Sequence, residues 1–247
     1  MLFFRPGSIN GSGMQESDFF LTTPSFSRIA GLVHGFGTRR LTWEGLGSFP
    51  RLQGMRPVRM RQIHSDIVIN VEDAPGTWPE GDALISRTPG LLLCVRTADC
   101  LPLLIVDEKV RAAAAVHCGW RGTAKKLAAK VVEAMRDRFS CRPGELRAVL
   151  GPSIGGACYE VGGDVPAEFR LSGDAAESLF APAGDGKYLL DLTRANRMQL
   201  QEAGVPEAHI ESLDVCTHCE DRFLSYRRDR GECGRLVNFL GFRERKI

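Results

Sequence analysis

Between Leu91 and Arg121 three apolar runs follow one another, separated only by short polar breaks. Leu91–Thr97 and Leu101–Asp107 are rich in branched aliphatics, and Arg111–His117 is mostly alanine ahead of Val116. Apolar runs of this length, bounded by polar or Gly/Pro breaks, read as strands buried inside a layered fold. The breaks carry chemistry. Cys100 sits in the first, inside Thr97-Ala-Asp-Cys-Leu-Pro102, and His117 closes the third run just before Cys118-Gly-Trp-Arg-Gly122. A thiol and an imidazole at the ends of neighbouring strands can share one pocket, and that pocket is the candidate site.

Past His117 the apolar period changes from strand to helix. Ala124, Leu127, Ala128, Val131, Val132, Met135 and Phe139 fall on one helical face. The pattern predicts a helix that starts near Gly122-Thr123, with Thr123 as N-cap, and ends before Pro143. Asp191–Ala203 reads as a second helix, closed by Gly204 and Pro206. Leu146–Leu150 and Ile210–Val215 read as further strands. Phe19–Phe36 suggests two short strands around Pro24, Val58–Val71 a strand broken near His64-Ser65-Asp66, and Thr38–Pro57 a loop. The C-terminal stretch reads as a hairpin-like pair of strands around Gly231–Gly234. Residues 1–17 are largely Gly/Ser-rich and read as a flexible arm. With no repeat and no linker in view, residues 18–247 are expected to form one α/β (α+β) domain of mixed sheets flanked by helices.

Composition narrows the function classes. A chain of 247 residues can bury a real core, and its net charge of +2 is too balanced to suggest nucleic acid as a partner. No run reaches the roughly 18 apolar residues of a membrane span. The start lacks a basic segment leading a long apolar stretch, so it does not read as a secretory signal. The expectation is a cytoplasmic protein whose eight cysteines are reduced.

His64, Cys100 and His117 together offer two imidazoles and a thiolate, a set suited to Zn²⁺ with the fourth position left for water or substrate. Each also has a structural reading, as a hydrogen-bonded histidine in a strand break or a small buried cysteine, and spacing alone leaves both open. Cys216, His218, Cys219 and Cys233 form a second cluster. Its C-x-x-C suggests a zinc knuckle, but His218 adjoins Cys219 and no second C-x-x-C exists, so reduced cysteines in a packed turn is the preferred reading. Cys94, Cys118, Cys141 and Cys158 read as structural. Gly119-Trp-Arg121-Gly-Thr123 opens a helix whose free N–H groups favour an anion, although the same glycines suit a simple tight turn. Arg121 adds a bidentate donor, with Arg61, Arg227 and Arg228 as candidate companions. Gly151-Pro-Ser153-Ile-Gly155 offers bare backbone donors at a strand end. Arg61, Arg121, Ser153 and Arg227 are the candidate substrate contacts.

A set of longer motifs then carries a resemblance. They are His34-Gly-Phe-Gly-Thr-Arg39, Arg61-Gln-Ile-His64, Gly81-Asp-Ala-Leu-Ile85, Thr97-Ala-Asp-Cys100 and Val116-His-Cys-Gly-Trp-Arg-Gly122. Leu150-Gly-Pro-Ser-Ile-Gly155, Cys158-Tyr-Glu-Val161, Cys216-Thr217 and Ser225-Tyr-Arg-Arg-Asp229 continue the series. In this order they resemble the YfiH family of laccase-domain proteins, described both as polyphenol oxidases and as purine nucleoside phosphorylases. The resemblance implies that His64, Cys100 and His117 are catalytic zinc ligands, in a layered fold distantly similar to a toxin-type cysteine hydrolase. It implies phosphorolysis of adenosine, inosine and methylthioadenosine, with adenosine deamination alongside, so purine nucleosides and phosphate are the expected partners. Asp82 and Asp99 are candidates to support the ligands.

Some family members are described as peptidoglycan editing factors. The alternative is therefore a cysteine-dependent hydrolase acting on an amide or cell-wall precursor, with Cys100 as nucleophile, His117 as base and His64 orienting. The oxidase label meets a count: a multicopper oxidase needs on the order of ten imidazoles, and this chain has five. Copper at the three-ligand site in vitro is the most that the label allows. One departure stands out. Family members carry a Gly-rich and Ser-Leu-Asn-Leu stretch after His-Gly-Phe, whereas Arg40–Phe49 is short and lacks it, which puts the pocket rim in question.

Overall fold

The computed structural model describes residues 15–74, 76–171 and 178–244. In chain order its strands are β1 (Phe20–Leu21), β2 (Leu32–Gly37), β3 (Arg56–Val58), β4 (Val68–Asn70), β5 (Ala83–Ser86), β6 (Leu91–Thr97) and β7 (Leu101–Asp107). They continue as β8 (Ala112–Cys118), β9 (Arg147–Leu150), β10 (Glu160–Gly162), β11 (Phe180–Gly184), β12 (Lys187–Leu190), β13 (Ile210–Ser212) and β14 (Leu236–Phe242). The α-helices are α1 (Pro24–Ser27), α2 (Trp120–Ala124), α3 (Leu127–Phe139), α4 (Asp164–Leu171) and α5 (Leu192–Glu202).

The three apolar runs become β6, β7 and β8, and they divide between two sheets. A six-stranded sheet has the order β13-β9-β7-β8-β5-β4, and a five-stranded one β1-β2-β14-β6-β3. A small sheet, β10-β12-β11, stands apart from both. Side chains alternate along β7. Leu103 and Ile105 share one core with Leu127, Val131 and Met135 of α3, whereas Leu104 and Val106 share the other with Leu93, Val95 and Leu240 of the second sheet. Both faces are covered, which is why no polar residue interrupts the run.

The alanines of β8 serve the same stacking. Small side chains on both faces let Cα atoms of β6, β14 and α3 come within 8 Å of the strand, closer than the roughly 10 Å spacing of ordinary stacked sheets. On the far side of the five-stranded sheet, Leu41, Leu46, Phe49 and Leu52 cover Leu92, Cys94, Val237 and Phe239. The order of layers is therefore helices, six strands, five strands and a cap with 3₁₀ turns at Glu44–Ser48 and Pro50–Leu52, where a plain loop over Thr38–Pro57 was expected, in one mixed α/β domain. Among the described residues no helix is long and apolar enough to cross a membrane.

Several expectations are corrected here. The helix expected from Gly122 is two helices, because Lys126 adopts φ 60° between α2 and α3. Gly119, not Thr123, is the N-cap of α2. Thr123 is buried instead, taking a hydrogen bond from Asn196 of α5 at 3.0 Å. The two short strands expected around Pro24 are present as β1 and β2, and Pro24 itself opens α1 between them. Val58–Val71 contributes only the end of β3 and the short β4, with an irregular loop between. The C-terminal hairpin is absent: β14 is buried along its whole length and pairs antiparallel with both β2 and β6. Residues before it turn inward to bond Asp99 instead. Of the N-terminal arm, residues 1–14 lie outside the described residues, and Glu16–Asp18 form a 3₁₀ turn.

Candidate metal centre and substrate pocket

Three separate segments deliver the candidate ligands. His64 comes from the loop between β3 and β4, Cys100 from the tight link between β6 and β7, and His117 from the end of β8. The register Leu101↔Cys118 and Pro102↔His117 brings the last two together across the β7–β8 pair. One ligand atom from each lies within 4.8 Å of the others. The two imidazoles meet edge to face, 5.0 Å between centroids.

A single carboxylate organises this arrangement. Asp82, fully buried just before β5, accepts from the backbone N–H of Ile63 (3.3 Å), His64 (3.1 Å) and Ser65 (2.5 Å) and from the Ser65 hydroxyl (2.7 Å). It also lies 2.7 Å from Nδ1 of His117. These bonds hold His64 in the left-handed region at φ 57°, a conformation costly for a histidine without such support. They also commit Nδ1 of His117 to the carboxylate and leave Nε2 to face the sulfur, as metal-bound histidines are commonly held. Burial works against the Asp82 charge. The bonds from His117 and Ser65 outweigh it and keep the carboxyl below its usual range.

Burial likewise opposes charge on Cys100 and His117. Their mutual attraction overcomes it, with Asp82 behind His117 and His64 beside the sulfur: the thiol is brought down to about 6 and the imidazolium up to about 9. The protein alone thus favours a thiolate at Cys100, the form that binds metal. Space at the site fits as well. A Cβ placed on Gly119 would stand 3.0 Å from Cδ2 of His64 and 3.3 Å from Sγ of Cys100, in the hollow that the donors face. Two imidazoles and one thiolate, with ligand atoms within 4.8 Å of one another, suit a tetrahedral ion with one open position.

Above these residues lies a pocket of about 580 Å³. Trp120, Tyr159 and Tyr226 give it aromatic walls, and Arg96, Arg121, Arg227 and Arg235 give it cationic ones. Arg121 lies over the Trp120 ring at 4.3 Å, and Arg227 stands 5.6 Å from the ring centre of Tyr159. Asp99, at φ 80°, fixes another wall by accepting from Thr217 Oγ1 (2.6 Å), Ser225 Oγ (3.1 Å) and the Arg227 N–H (2.7 Å). Gln62 is locked by two bonds to the Arg96 backbone, at 2.7 and 2.8 Å.

The expected substrate contacts divide. Arg121 and Arg227 line the pocket. Arg61 is an exposed side chain paired with Glu80 at 2.7 Å, outside the lining. Ser153 is buried beside Thr193 and borders a different hollow, of about 350 Å³. Arg228 turns its guanidinium to the carbonyls of Thr217 and Phe223. The helix expected to hold an anion is only five residues long at α2, so its dipole is small. Nor does the short stretch after Thr38 shape the rim: its apolar residues cap the five-stranded sheet and none lines the pocket. Sequence reading missed Gln62, Arg96, Tyr159, Tyr226 and Arg235. The alternation of aromatic residue and arginine in Ser225-Tyr-Arg-Arg228 was the available signal for two of the walls.

The second cysteine cluster also changes membership. Cys158, Cys216 and Cys219 come together, whereas Cys233 and His218 stay out of the group. All eight cysteines are free thiols.

Comparison with known proteins places this geometry. Residues 48–243 match the family model described as multi-copper polyphenol oxidoreductase laccase. A Deinococcus radiodurans protein named purine nucleoside phosphorylase is 42% identical over 190 residues, 76% of this chain and 71% of that protein. A protein of an unknown prokaryotic organism, named adenosine deaminase RL5, is 39% identical over 186 residues, 69% of each chain. The crystal structure of YlmD from Geobacillus stearothermophilus superposes with a TM-score of 0.85 at 31% identity, covering 94% of this chain and 98% of that one. With the match spanning most of the chain and the whole fold, this protein belongs to the laccase-like family of YfiH and YlmD.

Proposed function

We propose that this chain is a zinc-dependent purine nucleoside phosphorylase, acting on adenosine, inosine and methylthioadenosine, with adenosine deamination as a side activity. One observation carries the reading: the His64–Cys100–His117 group opens into a pocket that combines aromatic walls with four arginines. A pocket of this size suits a small organic ligand. The faces of Trp120, Tyr159 and Tyr226 suit a purine ring. Arg121, Arg227 and Arg235 suit phosphate, because a guanidinium meets its oxygens two at a time. The names of the relatives at 42% and 39% identity agree with these two chemistries. His64, Cys100 and His117 would hold the zinc, which when bound supplies Lewis acidity at its open position. Asp82 keeps His117 in one tautomer and orientation, so the site is set before substrate arrives.

The test is to assay the purified chain on adenosine and inosine, with and without phosphate, beside its His117→Ala variant. Release of free base that requires phosphate and disappears in the variant is the expected result. Zinc-loaded protein that turns over neither nucleoside would overturn the reading.

A second reading has its own observation. Cys100, His117 and Asp82 stand in the serial order of nucleophile, base and orienting carboxylate. In such a hydrolase Asp82, not His64, is the group bonded to the base. Activity that survives chelation and is abolished by alkylating Cys100 would favour it.

A further inference from the structure

We propose that Cys158, Cys216 and Cys219 form a second metal site, a three-thiolate staple for a soft d¹⁰ cation, on the outer side of the pocket wall. It is independent of the proposed activity. The three Sγ atoms lie within 4.8 Å of one another, and those of Cys158 and Cys219 are 3.4 Å apart. Bonds of 2.3 Å at tetrahedral angles place zinc-bound sulfurs about 3.8 Å apart, so a small adjustment of side chains accommodates an ion. Thiolates are the ligands that select Zn²⁺ and Cu⁺ over harder cations.

The backbone around Cys216 points the same way. The Gly155 N–H donates to its sulfur at 3.2 Å, and the N–H groups of Cys219 and His218 also face it. A turn that aims several donors at one sulfur stabilises it as a thiolate. Three neutral thiols packed by chance have no need of that. The Cys216-Thr-His-Cys219 turn supplies two ligands of a knuckle, and Cys158 arrives from 58 residues earlier to supply the third. Cys219 is exposed, so a fourth position is open to solvent.

The location gives the staple a purpose. Cys158 precedes Tyr159, which lines the pocket, and Cys216 precedes Thr217, which anchors Asp99 at 2.6 Å. A cation held by the three sulfurs clamps the turn after Gly155 to the Cys216–Cys219 turn. Tyr159 is then held in the pocket wall and Thr217 behind Asp99, both in fixed positions.

The experiment counts metal and maps thiols in the intact 247-residue chain. Reduced, metal-stripped wild type, His117→Ala and Cys219→Ser are titrated with Zn²⁺, and separately with Cu⁺, against a competing chelator. The expected result is two equivalents in wild type and one in each variant. In His117→Ala, the bound ion should protect Cys158, Cys216 and Cys219 together from iodoacetamide, read by peptide mass. Filling by Cu⁺ but not Zn²⁺ supports the same site with the cuprous ion as occupant. A single equivalent in wild type, with these three thiols alkylated as fast as in metal-free protein, overturns the proposal. So does a Cys158–Cys219 disulfide in freshly isolated protein that, once reduced, still takes up no second ion. None of these outcomes depends on nucleoside turnover.

Discussion

Nδ1 of His117 lies 2.7 Å from Oδ1 of Asp82, and the two side chains are 4% and 0% exposed. The same carboxylate gathers the N–H groups of the His64 loop. An amide at position 82 must turn its NH₂ toward donors on one side or the other. Asp82→Asn should therefore loosen both imidazoles at once and weaken zinc binding about 10–100-fold. Competition with a chelating dye measures it, and an unchanged affinity would remove Asp82 from its organising role.

Gly119 faces the hollow between His64 and Cys100 with φ −76°, a backbone angle open to any residue. Gly119→Ala should keep the fold and yet weaken zinc binding, because its Cβ presses on His64 and on the Cys100 sulfur. Unfolding curves matching wild type, together with weaker zinc binding than wild type at the His64–Cys100–His117 site, are the expected pair of results.

In metal-stripped protein Cys100 should be half thiolate near pH 6, where an ordinary cysteine is still a thiol. Burial opposes this, and His117 and His64 overcome it. Its iodoacetamide reaction rate should rise between about pH 5 and 7 and then level off. In His117→Ala the rise should move above pH 8. A wild-type profile that climbs only above pH 8 would contradict the thiolate–imidazolium pairing.

His34 makes a separate prediction about stability. It is 2% exposed, and its Nε2 accepts the Thr23 N–H at 2.9 Å. Burial, helped by the Arg51 charge, takes its pKa down to about 3. The unfolded chain binds this proton near pH 6.5 and the folded chain refuses it. The stabilisation is thus complete above pH 6.5 and declines as pH falls toward about 3, by roughly 1.4 kcal/mol per unit. His34→Gln keeps an acceptor without the titration. Its urea midpoint, followed in EDTA, should fall less steeply with acid than that of wild type.

Much of the fold is legible in the sequence because its signals are local. β6, β7 and β8 are continuous apolar runs, and α3 buries Leu127, Val131, Met135 and Phe139 from a plain helical period. The break at Lys126 has no such signal, since lysine rarely adopts the left-handed conformation it takes there. The small sheet escaped notice because Phe180-Ala-Pro-Ala-Gly184 is exposed along most of its length and has neither period nor run. The site shows the same division. His64, Cys100 and His117 are recognisable by residue type and motif, whereas the bond from Asp82 spans 35 residues and the contact of Cys158 with Cys219 spans 61. Only the folded layers bring such residues together.

The three candidate ligands of the pocket are mounted unequally. β7 and β8 lie inside the six-stranded sheet with a neighbour on either side, so their amides should exchange with solvent only when the whole domain opens. His64 is exposed on a loop held by side-chain bonds, from its neighbours to Asp82, from Gln62 to Arg96 and from Asp66 to Lys130, rather than by strand pairing on both sides. A coordination sphere built on these three residues would therefore come apart from one side. Cys100 and His117 would stay in place while His64 departs, and the lifetime of an ion bound there would follow the opening of that loop rather than the stability of the domain.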